Sequence, residues 1–322
     1  MALTKVFIDG EAGTTGLRIR ERLSNRTDIE LIHLEDALRK DVSARKDALN
    51  SADIAFLCLP DAAAIEAVQL VENPDTVIID TSTAHRVNDA WTYGFAELAG
   101  MREKIKNAKR IANPGCHASG FIALVAPLVQ AGLLEPDVQL SCTSLTGYSG
   151  GGKKMIAQYE EGLSSKELEG GTLPQDKTLQ APRMYGLSQT HKHLPEMVKV
   201  CGLQTSPIFC PVVDNYYSGM ETIVPMFSSQ INGTFAQVKE CLKSYYADAE
   251  LVKFAEACDE EGFLCANKLS GSDSMQLSVF GNEDRMLLTA RFDNLGKGAS
   301  GAAIQNMNIV MGACETAGLN VN

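Results

Sequence analysis

A chain of 322 residues with 45% apolar and 21% charged content is long enough for two hydrophobic cores, and its formal net charge of −11 excludes nucleic acid or an anionic membrane as main partner, since both need a basic face. No basic segment with an apolar run after it opens the sequence at Met1, and nothing approaches the ~20 apolar residues of a membrane span, so a cytoplasmic protein is expected. Nine cysteines, odd in number and without a C-x-x-C pair, predict reduced thiols rather than a disulfide framework or a metal cluster.

Thr4 to Asp9 reads as a short apolar strand, followed by Gly10, Gly13 and Gly16 and a helical stretch from Leu17 to Leu23. Strand, glycine turn and helix are the start of a dinucleotide-binding fold. A second strand at Ile29 to Leu34 completes a βαβ unit, and further strands at Ile54 to Leu59 and Val77 to Asp80 flank a helix from Ala62 to Val71. Such alternation predicts a parallel, doubly wound sheet, with ligands outside the carboxyl ends of its strands. Gly10, Pro60, the run Thr81 to Arg86 with Ser82, and Cys116 would all project there, so thiol and cofactor are expected to share one crevice. Glu35 and Asp36 after the second strand favour NAD by their acidity, whereas Arg39 and Lys40 could reach a 2′-phosphate.

The most informative stretch is Asn113-Pro114-Gly115-Cys116-His117-Ala118-Ser119-Gly120. Pro114 and Gly115 break the preceding strand, and the nearly uncharged run from Phe121 to Leu134 predicts a buried helix with Cys116 in its first turn. The partial positive charge of a helix start favours thiolate over thiol, which suits a nucleophile. His117 is a weak candidate base for that thiol, because adjacent helical residues point about 100° apart.

Beyond Leu134, short β-branched segments at Val138 to Leu145, Ile208 to Val213, Thr222 to Phe227, Gln276 to Phe280 and Met286 to Phe292 predict a more antiparallel sheet. Tyr148-Ser149-Gly150-Gly151-Gly152-Lys153-Lys154 offers backbone N–H groups, a hydroxyl and two cations suited to an oxyanion or phosphate. Glu161 to Gln180 reads as an exposed, mobile loop. His191 and His193, spaced i and i+2 just before Pro195, stand at a helix start that favours neutral imidazoles able to act as base or donor near neutral pH. A metal pair completed by Glu196 is the rival reading, without other clustered ligands to support it. The last periodic stretch, Ser300 to Ala317, is expected to be a helix that returns to the first domain.

Taken together, six ordered motifs resemble the shorter type of the N-acetyl-γ-glutamyl-phosphate reductase family over most of the chain: residues 9–16, 80–86, 113–116, 149–153, 191–196 and 293–302. The resemblance implies an α/β fold of the semialdehyde dehydrogenase type. A Rossmann domain (1–115 with 296–322) would be completed by the C-terminal helix, with an inserted α+β catalytic and oligomerisation domain (116–295). It implies NADP as cofactor, a homo-oligomer, dimer or tetramer, and an anionic acyl phosphate as substrate. It further implies Cys116 as nucleophile with His191 or His193 assisting, dinucleotide contacts from Gly10, Gly13, Thr14, Thr15, Gly16 and Ser82, and no metal. Arg86, Asn113, Ser149, Gly150 and Lys153 are the substrate anchors expected in this reading. His117 departs from the tyrosine expected after the nucleophile. The alternatives are another acyl-phosphate reductase such as aspartate-semialdehyde dehydrogenase, a non-catalytic dinucleotide-binding thiol sensor, and a cysteine hydrolase; the last would leave the amino-terminal βαβ unit idle.

Overall fold

A computed structural model describes residues Leu3–Val321, which form two compact units, one made of the chain up to Gly115 with Ala299–Val321, the other of Cys116–Gly298. In the first unit six strands, β1 Thr4–Asp9, β2 Ile29–Ile32, β3 Ile54–Leu57, β4 Val77–Asp80, β5 Thr92–Tyr93 and β6 Arg110–Ala112, make one parallel sheet in the order β2-β1-β3-β4-β6-β5. Helices α1 Thr14–Leu23, α2 Val42–Ser51, α3 Asp61–Gln69 and α4 Met101–Lys106 connect them. Strand pleating divides β1 between two cores. Val6 and Ile8 pack with Ile19, Leu23, Ile304 and Met307, while Phe7 packs with Ala48, Leu49 and Ala64. A strand buried on both faces is what a doubly wound parallel sheet requires, so the fold class expected from the alternation holds.

The helix Gly301–Met311 supplies Ile304 and Met307 to the first of these cores. It stops six residues short of the expected Ala317, because Gly312 takes φ +66° and its N–H caps the Asn308 and Ile309 carbonyls. At the other end of the sequence α1 starts at Thr14 rather than Leu17, directly on the glycine turn.

The second unit is a seven-stranded sheet: β7 Ser141–Gly147, β8 Arg183–Met184, β9 Ile208–Asp214, β10 Met220–Phe227, β11 Val252–Phe254, β12 Met275–Gly281 and β13 Arg285–Phe292, in the order β11-β12-β13-β10-β7-β9-β8. Its pairings are mainly antiparallel, as the β-branched segments predicted, with two parallel exceptions, β7 with β9 and β11 with β12. Its helices are α5 Cys116–Gln130, α6 Gly152–Glu160, α7 Ser165–Glu169, α8 Leu194–Cys201 and α9 Phe235–Tyr245. α5 lies on β10 and β13 and is flanked by α8 and α9. It ends at Gln130, short of the predicted Leu134, before Gly132 at φ +70°. The expected loop from Glu161 to Gln180 is largely exposed but contains α7, fixed by a capping box in which Ser164 and Glu167 bond each other's backbone N–H; the S-x-x-E signature carried that information.

Alternate residues of the sheet turn away from α5. On that far face Ile208 is 64%, Phe227 63% and Leu287 45% exposed, and they line a groove of about 720 Å³ with Pro225, Ser141 and Arg285.

Candidate active site

The second unit places Cys116 as the first residue of α5, half-buried. By contrast Cys142 and Cys201 are fully sequestered, and burial pushes both thiols well above the ordinary range, which makes them inert. Gly298 is what lets the chain pass close to the nucleophile position, since a Cβ there would lie 3.0 Å from Cys116 Cβ.

His117, the next residue, is buried and anchored at both ring nitrogens. Nδ1 lies 2.7 Å from Ser144 Oγ, itself 3.1 Å from Thr222 Oγ1, and Nε2 lies 2.6 Å from the Tyr185 hydroxyl. Burial, reinforced by His191, lowers its pKa to about 3, so the imidazole is a neutral strut rather than a titrating base. Burial, helped by Cys116, raises the Tyr185 phenol, which stays protonated. The sequence set His117 aside as a base on angular grounds; burial, with both ring nitrogens partnered, is a separate reason for the same reading.

His191 and His193 close the same cluster. Their rings are 4.7 Å apart, and each lies within 6 Å of the His117 ring, at 5.9 and 5.7 Å. Phe209 meets His117 and His191 edge-on. His193 caps α8, with Pro195 in its first turn, and its backbone N–H donates to His191 Nδ1 at 3.2 Å. An Nδ1 that accepts leaves the proton of neutral His191 on Nε2. Burial, then Lys192, lowers the His191 pKa, so the neutral form predominates near neutral pH. The helix start was the expected cause; desolvation is the larger one.

The glycine-lysine turn folds as a short 3-10 turn, Tyr148–Gly151, before α6. Ser149 is buried with its hydroxyl accepting from Asn294 Nδ2 at 3.0 Å, a Cβ at Gly150 would lie 3.1 Å from Thr146 Oγ1, and Lys153 and Lys154 are exposed. Asn294 also accepts from the Gly219 N–H. Asp293 beside it gathers the N–H groups of Leu295, Gly296 and Gly271 and the Ser218 hydroxyl. Sequence reasoning gave these two residues no role of their own; Tyr185, Ser144 and Gly298 were also missed, and only the quoted 293–302 stretch hinted at any of them.

In the first unit, Gly10 at φ +84° closes the turn after β1, where a Cβ would overlap the Cys58 carbonyl; one at Gly16 would lie 2.6 Å from the Gly10 carbonyl. Gly13 caps α1 with no side-chain hydrogen bond and no acid in the first turn, so the N–H groups from Thr14 onward face an anion-accepting end. Beside it lies a pocket of about 430 Å³ lined by Gly10, Glu11, Ala12, Asp36, Arg39 and Lys40 among others. A tight glycine turn, an uncapped helix start and cations along one wall fit a dinucleotide. Ser82 is buried and donates to Asp80 Oδ2 at 2.7 Å. Asp80 also holds His85 Nδ1 at 2.6 Å. Arg86 donates to the Asn113 and Thr81 carbonyls, both at 2.9 Å, and Asn113 bonds the Ala299 carbonyl and Asn306. In this geometry Ser82, Arg86 and Asn113 brace the strand ends. Among the described residues no group of three His, Cys, Asp or Glu side chains is placed to hold a metal ion.

A dinucleotide-type domain joined to a mixed-sheet domain with a cysteine at a helix start defines a class, the semialdehyde dehydrogenase-type oxidoreductases. Residues 5–108 match the family model for the semialdehyde dehydrogenase NAD binding domain, and residues 116–294 that for the semialdehyde dehydrogenase dimerisation domain. Solved structures of aspartate semialdehyde dehydrogenases share the fold: one from Vibrio cholerae at TM-score 0.69 and 15% identity, over 97% of this chain and 99% of that one, and one from Francisella tularensis at 0.69 and 16%, over 96% and 100%. N-acetyl-γ-glutamyl-phosphate reductases of Brucella anthropi and Brucella ovis are 48% and 47% identical over 96% of this chain and 98% and 99% of theirs. The chain belongs to the N-acetyl-γ-glutamyl-phosphate reductase family.

Proposed function

We propose that this chain reduces N-acetyl-γ-glutamyl phosphate to N-acetylglutamate 5-semialdehyde and phosphate, with NADPH as reductant, in arginine biosynthesis. The observation that carries the reading is the half-buried Cys116 at the start of α5, followed directly by His117, whose imidazole is held neutral like that of His191, in a chain 48% identical to a reductase of that name. The Cys116 thiolate attacks the acyl carbon, the bond from that carbon to the phosphate oxygen breaks, and phosphate leaves a thioester on the enzyme. Bound NADPH supplies the hydride that reduces the thioester carbon. The resulting oxyanion expels the Cys116 thiolate and frees the aldehyde. His191, with Nε2–H available and more exposure than His193, donates to the oxyanion, while Tyr185, held by His117, borders the thiol.

Gly10, Gly13, Thr14, Thr15 and Gly16 would hold the pyrophosphate, and Arg39 and Lys40 support NADP over NAD against the acidity of Asp36. Lys153, exposed on α6, remains the cation suited to an anionic substrate, with Arg86 committed to backbone carbonyls. Homo-oligomerisation through the exposed apolar face of the second sheet accords with its match to a dimerisation domain. The test is the reverse reaction: purified protein with N-acetylglutamate semialdehyde, phosphate and NADP, followed at the absorbance of the reduced nicotinamide. Turnover should vanish in Cys116→Ala; normal turnover in that variant removes Cys116 from the chemistry. Faster turnover with aspartate semialdehyde would reassign the substrate while keeping the site.

A further inference from the structure

Glu11 stands inside the glycine turn, on the wall of the dinucleotide pocket, and is only 11% exposed. Its Oε1 accepts from Arg39 Nη2 at 2.7 Å and Arg20 Nη1 at 3.2 Å and lies 3.3 Å from His33 Nδ1. Arg39, the only one of the three on the pocket wall, also pairs with Asp36 at 2.8 Å, while its Nε is buried with no hydrogen-bond partner. A guanidinium has five donors, and this one spends Nη2 on both Glu11 and Asp36, so an anion entering the pocket competes with those carboxylates for it. Arg45 and Asp9, on the same wall, satisfy each other through Arg45 Nη2 and Asp9 Oδ2 at 2.8 Å. That leaves Arg39 and Lys40 as the wall's cations toward an anion, with two carboxylates competing for the first of them: Asp36, which is 87% exposed and screened by solvent, and the sheltered Glu11.

We propose that Glu11 is an internal stand-in for a cofactor phosphate: it holds Arg39 in position and competes with the 2′-phosphate of NADP for that guanidinium, so the charge at position 11 tunes the preference for NADP over NAD. The inference rests on the NADP reading above and adds the residue that limits it. A carboxylate beside a phosphate dianion repels it, whereas a glutamine amide oxygen still accepts from Arg39 and keeps the side chain in place.

The experiment is titration calorimetry of the full chain with adenosine 2′,5′-bisphosphate and with 5′-AMP, which share the 5′-phosphate and differ at the 2′ position. The native protein should bind the bisphosphate more tightly. Glu11→Gln should raise the ratio of the two affinities about fivefold, an effect that shrinks as salt is added. Arg39→Met should bring the ratio close to one. If Glu11→Gln fails to fold by thermal unfolding, Glu11→Asp, which withdraws the carboxylate, should raise the ratio to a smaller degree. An unchanged or lowered ratio in the Glu11 variants, with the native preference intact, overturns the proposal and leaves the NADP reading standing. A native chain that binds both nucleotides equally overturns both.

Discussion

At residue 117 an imidazole is bonded at both nitrogens in a dry cluster, and its function follows from what it cannot do, which is take up a proton. With a folded pKa of about 3 against 6.5 for the free side chain, the unfolded chain binds a proton that the folded chain refuses. Stability from this residue is therefore complete above about pH 6.5 and is lost as pH falls toward 3, by up to ~1.4 kcal/mol per pH unit. His191, lowered in the same direction, adds to the slope. Urea unfolding across that range should show a flatter acid dependence in His117→Gln than in the native chain, and equal slopes would mean that the imidazole is not the titrating group. Cys116 was legible from its own neighbours because a helix start is a local feature. The anchoring of His117 was not, because Ser144 and Tyr185 stand 27 and 68 positions away.

Among the elements, α5 carries the nucleophile, and its height above the sheet is set by a single missing atom. A Cβ at Gly120 would overlap Thr222 Oγ1, come within 2.7 Å of Thr222 Cβ and lie 3.0 Å from the Phe292 ring. In an open helix Gly→Ala gains about 1 kcal/mol of helix stability. Here the overlap acts on a packed strand and costs about 1–3 kcal/mol, so the clash wins. Gly120→Ala should lower the thermal midpoint and slow Cys116 alkylation by iodoacetamide; a raised midpoint would show that α5 has room to spare. The core of α5 was readable from its apolar run, but its end at Gln130 and the short α7 depended on a glycine and a capping box that a hydrophobic pattern does not weigh.

At the level of the whole molecule, the second sheet buries one face under α5 and leaves Ile208, Phe227 and Leu287 on the other. Apolar side chains this exposed around a groove of about 720 Å³ mark a surface that association would cover. Ile208→Asp combined with Phe227→Asp should reduce the mass measured by sedimentation to that of one chain at low micromolar concentration, while the far-ultraviolet dichroism stays native. A native mass of one chain, or a larger mass left unchanged by the two substitutions, would show that this face is not an interface between copies of the chain.

The sequence by itself determined the fold class and the elements with a clear apolar period, but not the short strands at Thr92–Tyr93, Arg183–Met184 and Val252–Phe254 or helices such as Val42–Ser51 and Phe235–Tyr245. Strand and helix alternate within about 30 residues after one glycine turn, and the period of apolar residues is a property of neighbours, so the parallel sheet and the Cys116 helix are legible in the sequence. What only the tertiary structure decided is the company each polar group keeps. Arg86 reads as an anion binder until its guanidinium is found on the carbonyls of Thr81 and Asn113, and Glu11 reads as a turn residue until Arg20, His33 and Arg39 converge on it. Such partners are brought together by chain crossings between distant segments, and hydrogen-bond direction and desolvation, which set the chemistry, exist only once those crossings are made.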